Sequence, residues 1–335
     1  MLTRRSFGLR ALGLAASCTL ARQSAAAGQS AAAGPGEPAQ RLQQELARIE
    51  LATTGRLGVA AFDMETGLRA NHRGDERFPM CSTFKAIAAA AVLSRVDAGK
   101  EDLSRRLHWK KADLIAHSPV TEKHVKDGLT LTELCHAATT VSDNTAANLM
   151  LEAIGGPSGF TAFVRSVGDP VTRIDRMEPA LNSAKPGDKR DTTSPAAMAA
   201  LLKTLVLDDA LSPASRDQLG QWMVANTTGG TKLRAGLPRG FTVGDRTGAG
   251  ANGTNNVVAV IWPPQRKPLV ATVFITETQT PRPETDRNRP AVDPHPRNLT
   301  AQPQPSPPPH CRRRLRHAFC EHGRVPVVQP DLVSN

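Results

Sequence analysis

Ser82 and Lys85 stand three residues apart at the head of an alanine-rich apolar run. A serine hydroxyl is a poor nucleophile until a base takes its proton. A lysine can serve only when burial and neighbouring cations lower its pKa. At helical spacing the two side chains share a face, and the helix N-terminus sets N–H groups beside an attacked carbonyl. Ser142-Asp143-Asn144 adds a second hydroxyl, able to pass a proton toward a leaving nitrogen, and an amide able to grip a substrate amide. Glu178 and Asn182 can hold one water between them, with Glu178 as its general base. Arg246-Thr247-Gly248-Ala249 pairs a cation with a hydroxyl for a substrate carboxylate, and Gly248 lets a ligand approach the backbone. The N–H groups of Ala249 and Ser82 can form an oxyanion hole. Arg176 and Asp191 can pair across the ends of the Glu178 segment and close its neck. Singly, these read as helix caps, a surface acid, two solvated charges and an ordinary strand. As an ordered set they can open an amide by acyl transfer and then hydrolyse the ester.

The elements that must position these groups are legible from periodicity. Pro38 starts an amphipathic helix with Leu42, Leu46 and Ile49 on one face and Gly55 at its end. Leu57–Asp63 and Leu68–His72 flank Met64-Glu65-Thr66-Gly67 as a hairpin. A helix runs from Ser82 to about Val96, and Thr130-Leu131-Thr132-Glu133 is a capping box before the next. Further helices are expected over Asp143–Ile154, Phe160–Val167, 196–207 and 214–225, the last two capped by Ser194-Pro195 and Ser212-Pro213. Residues 170–194 show no period and read as a long functional loop. Phe241–Thr247, Asn256–Trp262 and Leu269–Thr276 close the series as strands. Strands at both ends with helices between them predict an α+β fold. An antiparallel sheet flanked by helices is built from 39–77 and 195–280, a helical domain spans 78–194, and the site lies in the cleft between them.

The net charge of +11 over 335 residues raises the question of nucleic acid. Its distribution answers it. Residues 1–27 hold four Arg and no acid, and 281–335 hold nine Arg against five acids, so the motif-bearing middle keeps little of the excess. No nucleic-acid partner is expected. Thr3-Arg4-Arg5-Ser6-Phe7, the apolar run Leu9–Leu20 and Ala25-Ala26-Ala27 read as a twin-arginine export signal. That run is too short for a membrane span, and lipoprotein processing at Cys18 is the rival reading. Residues 28–38 form a low-complexity linker; the hexapeptide Gln-Ser-Ala-Ala-Ala-Gly repeats over 23–28 and 29–34. A periplasmic monomer follows as the expectation. Cys81 and Cys135 are expected to be free, buried thiols. The segment 281–335, with twelve prolines, predicts disorder, and a frameshift near codon 280 is the expected origin. His310, Cys311, His317, Cys320 and His322 lie there at spacings that match no standard zinc site. Neither metal nor organic cofactor is expected.

The ordered set resembles the class A serine β-lactamases, whose Ser-x-x-Lys, Ser-Asp-Asn and Lys-Thr-Gly series it follows. The likeness runs from about Ala39 to Thr280 and includes Phe78–Lys85, Thr121–His124, Ser142–Asn148, Arg176–Asn182, Arg190–Thr193 and Thr242–Gly248. It implies a serine β-lactamase/transpeptidase-like fold and hydrolysis of penicillins and some cephalosporins. Ser82 would be acylated and Glu178 would activate the deacylating water. Whether Lys85 or Glu178 is the acylation base stays open. Arg246 stands where the family has Lys, His117 where members often place an aromatic wall, and Asn255 where some place arginine. Lys232 matches the position of a compensating arginine and is read as a carboxylate contact. Some carbapenem-hydrolysing members pair the cysteine matched by Cys81 with one matched here by Gly250, so that disulfide cannot form. Two other readings remain: a penicillin-binding peptidase, disfavoured by Glu178 and Asn182, and a non-catalytic or unstable remnant, because the segment after Thr280 lacks the family's closing helix.

Overall fold

A computed structural model describes residues 37–279 of the chain. The expected signal, Cys18, residues 28–36 of the expected linker and the tail 281–335 with its His and Cys residues lie outside the described residues, while Glu37 and Pro38, expected to end the linker, belong to the first helix. Helix α1 (Glu37–Thr53) leads into β1 (Arg56–Asp63) and β2 (Arg69–His72), the expected hairpin. After α2 (Phe84–Asp97) come α3 (Leu131–Thr140), α4 (Asn144–Ala153) and α5 (Gly156–Ser166). Helices α6 (Pro195–Val206), α7 (Pro213–Val224) and the short α8 (Leu233–Gly236) return the chain to the sheet. Strands β7 (Thr242–Ala249), β8 (Asn255–Trp262) and β9 (Leu269–Thr276) complete it. The order is β2-β1-β9-β8-β7, antiparallel throughout, so the sheet joins segments far apart in sequence as expected.

Both faces of this sheet are covered. Ala60, Val258, Val260, Val270 and Phe274 point into the main core, with α6 and α7 beyond them. Their alternate neighbours, Val59, Val257 and Val273, pack with Leu46 and Ile49 of α1 on the other face. That double burial is why β8 reads as an unbroken apolar run rather than an alternating one. At the centre of the helical part, α2 is buried from Phe84 through Leu93. A helix that is apolar on every side belongs in a core, and its alanines let α3, α4 and α7 approach closely.

The helix boundaries follow local capping chemistry. Thr130 Oγ1 accepts from Glu133 N while Glu133 Oε2 accepts from Thr130 N, the expected capping box. Ser194 and Ser212 cap α6 and α7 with proline just inside. Helix α5 begins at Gly156, ahead of the expected Phe160, because Gly155 in the left-handed region caps it and Pro157 fits its first turn. Ser142 is not the cap of α4. Asp143 takes that role, accepting from Ala146 N, and Ser142 is turned to φ 65°.

Two short pairings escaped the sequence. Strand β4 (Arg106–Leu107) pairs with β5 (Leu129–Thr130). Strand β3 (Phe78–Pro79) pairs with β6 (Thr192–Thr193), which ties the approach to Ser82 to the end of the long loop. Leu46 is 1% exposed and Leu51 on the same helix is 81% exposed. Leu46→Ala should therefore cost about 2–5 kcal/mol, whereas Leu51→Ala should stay within about 0.5 kcal/mol, read by denaturant unfolding. Equal losses would show that α1 is not held to the sheet by this face.

Candidate active site

Ser82 sits in the 3-10 turn Cys81–Thr83 that feeds directly into α2, so Lys85 falls in the first turn of the buried helix. The Ser82 hydroxyl donates to Glu178 Oε1 at 3.3 Å. Lys85 Nζ is 3.1 Å from the same carboxylate oxygen, with both side chains fully buried. The ammonium also donates to Ser142 O at 3.0 Å, Ser142 Oγ at 3.2 Å and Asn144 Oδ1. Burial is the main cause that brings the Lys85 pKa down to about 8; Glu178 opposes the drop and Arg246 adds to it.

Arg246 reaches the same point from the sheet. It is fully buried on β7, and its Nη2 donates to Ser142 Oγ. Desolvation lowers even this guanidinium, to about 10. The Ser142 oxygen thus accepts from two cationic groups. Its own proton is left free to point into the cleft. Asn144 has both ends engaged, since its Nδ2 donates to Ala116 O at 2.8 Å. His117 is half-buried in the left-handed region and its Nε2 donates to Val141 O at 3.1 Å. Burial, then the charge of Lys85, pushes the His117 imidazole pKa down.

The long loop delivers Glu178. Asn148 of α4 clamps it on both sides: Glu178 N donates to Asn148 Oδ1 at 2.9 Å and Asn148 Nδ2 donates to Glu178 O at 3.0 Å. Asn182 Nδ2 donates to Glu178 Oε2, and Asn182 Oδ1 is buried without a hydrogen-bond partner among the described residues. At the neck, Arg176 Nε meets Asp191 Oδ2 at 2.5 Å, and Asp175 N and Arg176 N both donate to Asp191 Oδ1. The expected neck pair is present and buried on the Asp191 side.

Gly248 also admits the protein's own backbone. A Cβ there would lie 2.7 Å from Met80 O and 3.1 Å from Thr83 N. Its missing side chain lets β7 close onto the turn that carries Ser82, which sets Ala249 beside that turn. Thr247 Oγ1 lies 2.5 Å from Thr228 Oγ1. Lys232 donates to Asn255 Oδ1, and Asn255 is the cross-strand partner of Ala249.

Most of these groups are joined in one hydrogen-bonded network, and comparison with known proteins gives the chain a family. The model of the β-lactamase enzyme family matches residues 41–292. The chain belongs to the class A β-lactamases. It is 52% identical over 241 residues to β-lactamase OXY-1 of Klebsiella oxytoca, covering 72% of this chain and 83% of that one. To β-lactamase CTX-M-8 of Citrobacter amalonaticus it is 48% identical over 241 residues, with the same coverage of 72% and 83%. The solved ancestral GNCA class A β-lactamase superposes with a TM-score of 0.71 at 64% identity, covering 72% of this chain and 92% of that one.

Within this β-lactamase, both core cysteines are buried thiols outside any disulfide, as expected. A Cβ on Gly250 would stand 2.5 Å from Cys81 Sγ, so no side chain fits there unless its surroundings shift. Among the described residues no cluster of His, Cys, Asp and Glu is arranged to hold a metal, and no helix is long and apolar enough to cross a membrane. Sequence reasoning missed Asn148, Thr228 and the Arg234–Asp245 pair, which is buried at its Asp245 end. Asn148 alone left a trace, one turn beyond Asn144 on the same helical face. With Lys85 charged, its ammonium organises Ser142, Asn144 and Glu178. Loss of that proton as pH rises through about 8 should disorganise the site. Nitrocefin kcat/KM should then fall about tenfold per pH unit on the alkaline side; a profile flat to pH 10 would assign the ionisation elsewhere.

Proposed function

We propose that this chain hydrolyses the β-lactam amide of penicillins and some cephalosporins through an ester on Ser82. The observation that carries the reading is the convergence of Ser82 Oγ and Lys85 Nζ on one oxygen of Glu178. In acylation the Ser82 oxygen bonds to the lactam carbonyl carbon while its proton passes to Glu178. The contact with Glu178, rather than with an already charged Lys85, favours the carboxylate as that base. The oxyanion rests on the N–H groups of Ser82 and Ala249, each such donor being worth about 2.7–4 kcal/mol. As the C–N bond breaks, the Ser142 hydroxyl protonates the nitrogen. Ser142 is reprotonated by Lys85 at 3.2 Å, and Lys85 recovers its proton from Glu178 at 3.1 Å. The circuit returns every group to its starting state.

Deacylation uses the same carboxylate. A water between Glu178 and the unpartnered Asn182 Oδ1 would have two acceptors for its protons. Glu178 takes one as the water oxygen attacks the ester, and the expelled Ser82 oxygen takes it back. Arg246 and Lys232 supply a cationic edge for the substrate carboxylate and Thr247 a hydroxyl beside it, with His117 and Asn144 as walls. Arg176–Asp191 keeps the loop closed. A penicillin-binding peptidase would have no use for the Glu178–Asn182 pair. Against the remnant reading stands the convergence of Ser82, Lys85, Ser142, Glu178 and Asn182 within the described residues.

The twin-arginine signal supports export to the periplasm, and we read the enzyme as a monomer there. Intact-protein mass spectrometry with benzylpenicillin tests the mechanism. Glu178→Gln should acylate more slowly, yet on long incubation still hold a penicillin mass on Ser82, because deacylation loses the base for its water and is slowed about a hundred- to ten-thousandfold. Ser82→Ala should form no adduct and turn over no nitrocefin. Rapid release by the glutamine variant would move the hydrolytic base elsewhere.

A further inference from the structure

A second polar chain reaches the cleft from the far side of the sheet. Arg234 on α8 donates to Asp245 Oδ1 through Nε at 3.0 Å and Nη2 at 2.7 Å. Asn226 Nδ2 donates to the same oxygen at 2.8 Å. The other end of Asn226 faces Thr228: its Oδ1 accepts from Thr228 N at 3.1 Å and from Thr228 Oγ1 at 2.9 Å. Thr228 Oγ1 in turn accepts from Arg246 Nη1 at 3.2 Å and lies 2.5 Å from Thr247 Oγ1. One hydroxyl therefore touches both the cation and the hydroxyl of the expected carboxylate site.

Counting protons makes that contact consequential. A threonine hydroxyl has one proton and two lone pairs. With the Thr228 proton on Asn226, Thr247 must spend its own proton on Thr228 and has none for an anion. With the Thr228 proton turned to Thr247, the Thr247 hydroxyl can donate outward. Asn226 Oδ1 still keeps the Thr228 N–H. Only this second arrangement lets Arg246 and Thr247 both donate to a carboxylate.

We propose that Thr228 is a positioning residue for the substrate carboxylate: its hydroxyl braces the Arg246 guanidinium and, by turning one proton from Asn226 to Thr247, frees Thr247 to donate. Asn226, Asp245 and Arg234 fix where Thr228 stands. This rests on the hydrolase reading above.

The test compares benzylpenicillin with its methyl ester, which lacks the anion. The parent should prefer the free acid in kcat/KM. Thr228→Val keeps the shape and removes the hydroxyl. It should lower that preference about tenfold, the scale of one charge-assisted hydrogen bond, through KM for the acid and with kcat nearly unchanged. Thr228→Ser should restore it. Thermal melts accompany each variant, and Thr228→Ala carries the same comparison should the valine variant not fold. An unchanged acid-to-ester ratio, an equal loss on both substrates, or failure of serine to restore would overturn the role of Thr228 alone. Absence of turnover by the parent on either substrate would sink the hydrolase reading and this proposal with it.

Discussion

The cleft depends on one buried ion pair, Lys85 with Glu178. Removing two opposite charges from water costs several kcal/mol per ion, and only close contact with full hydrogen bonding repays it. Here the ammonium has Ser142, Asn144 and the carboxylate around it, and the carboxylate has Ser82, Lys85 and Asn182. Arg246 adds a second cation beside the first, which makes Glu178 still more necessary. Neither partner is tolerable alone at such depth. The pair is thus a constraint on everything that delivers its two halves.

The halves arrive by different routes. Lys85 comes with a rigid, fully packed helix, and its position is settled by the core. Glu178 comes with a loop that has little regular structure of its own, so its position must be imposed. The Asn148 clamp, the Asp191 neck and the β3–β6 pairing each impose part of it. The neck is joined to the nucleophile's turn as well, through Met80 N to Asp191 O at 3.0 Å. Loop and nucleophile are therefore held in mutual register by main-chain bonds, which are indifferent to most side-chain changes nearby.

What the sequence disclosed, and what it withheld, follows the range of the interactions. The capping box at Thr130, the Ser-Pro starts of α6 and α7 and the apolar strands are local patterns, and each was legible to within a residue or two. The start of α5 was not, because two glycines look like a break whether they end one helix or launch another. The four chemistry-bearing motifs were legible because each is a short string of distinctive residue types. Asn148, Asn226, Thr228 and Arg234 are single polar residues whose partners lie far along the chain or across the sheet. Gly248 was noticed for its permissiveness, but not the protein's own turn that packs against it.

Strand β7 carries Asp245 and Arg246 side by side, both fully buried, and a strand sends neighbours to opposite faces. Asp245 meets Arg234 and Asn226 on one side, and Arg246 meets Ser142 on the other. A slip of one position along β8 would thrust the guanidinium into the apolar layer of Ala259, Ile261 and Ala271 and face the acid toward Glu178. Both errors would strand a charge, so misthreaded hairpins reject themselves. The edge of this sheet proofreads its own assembly.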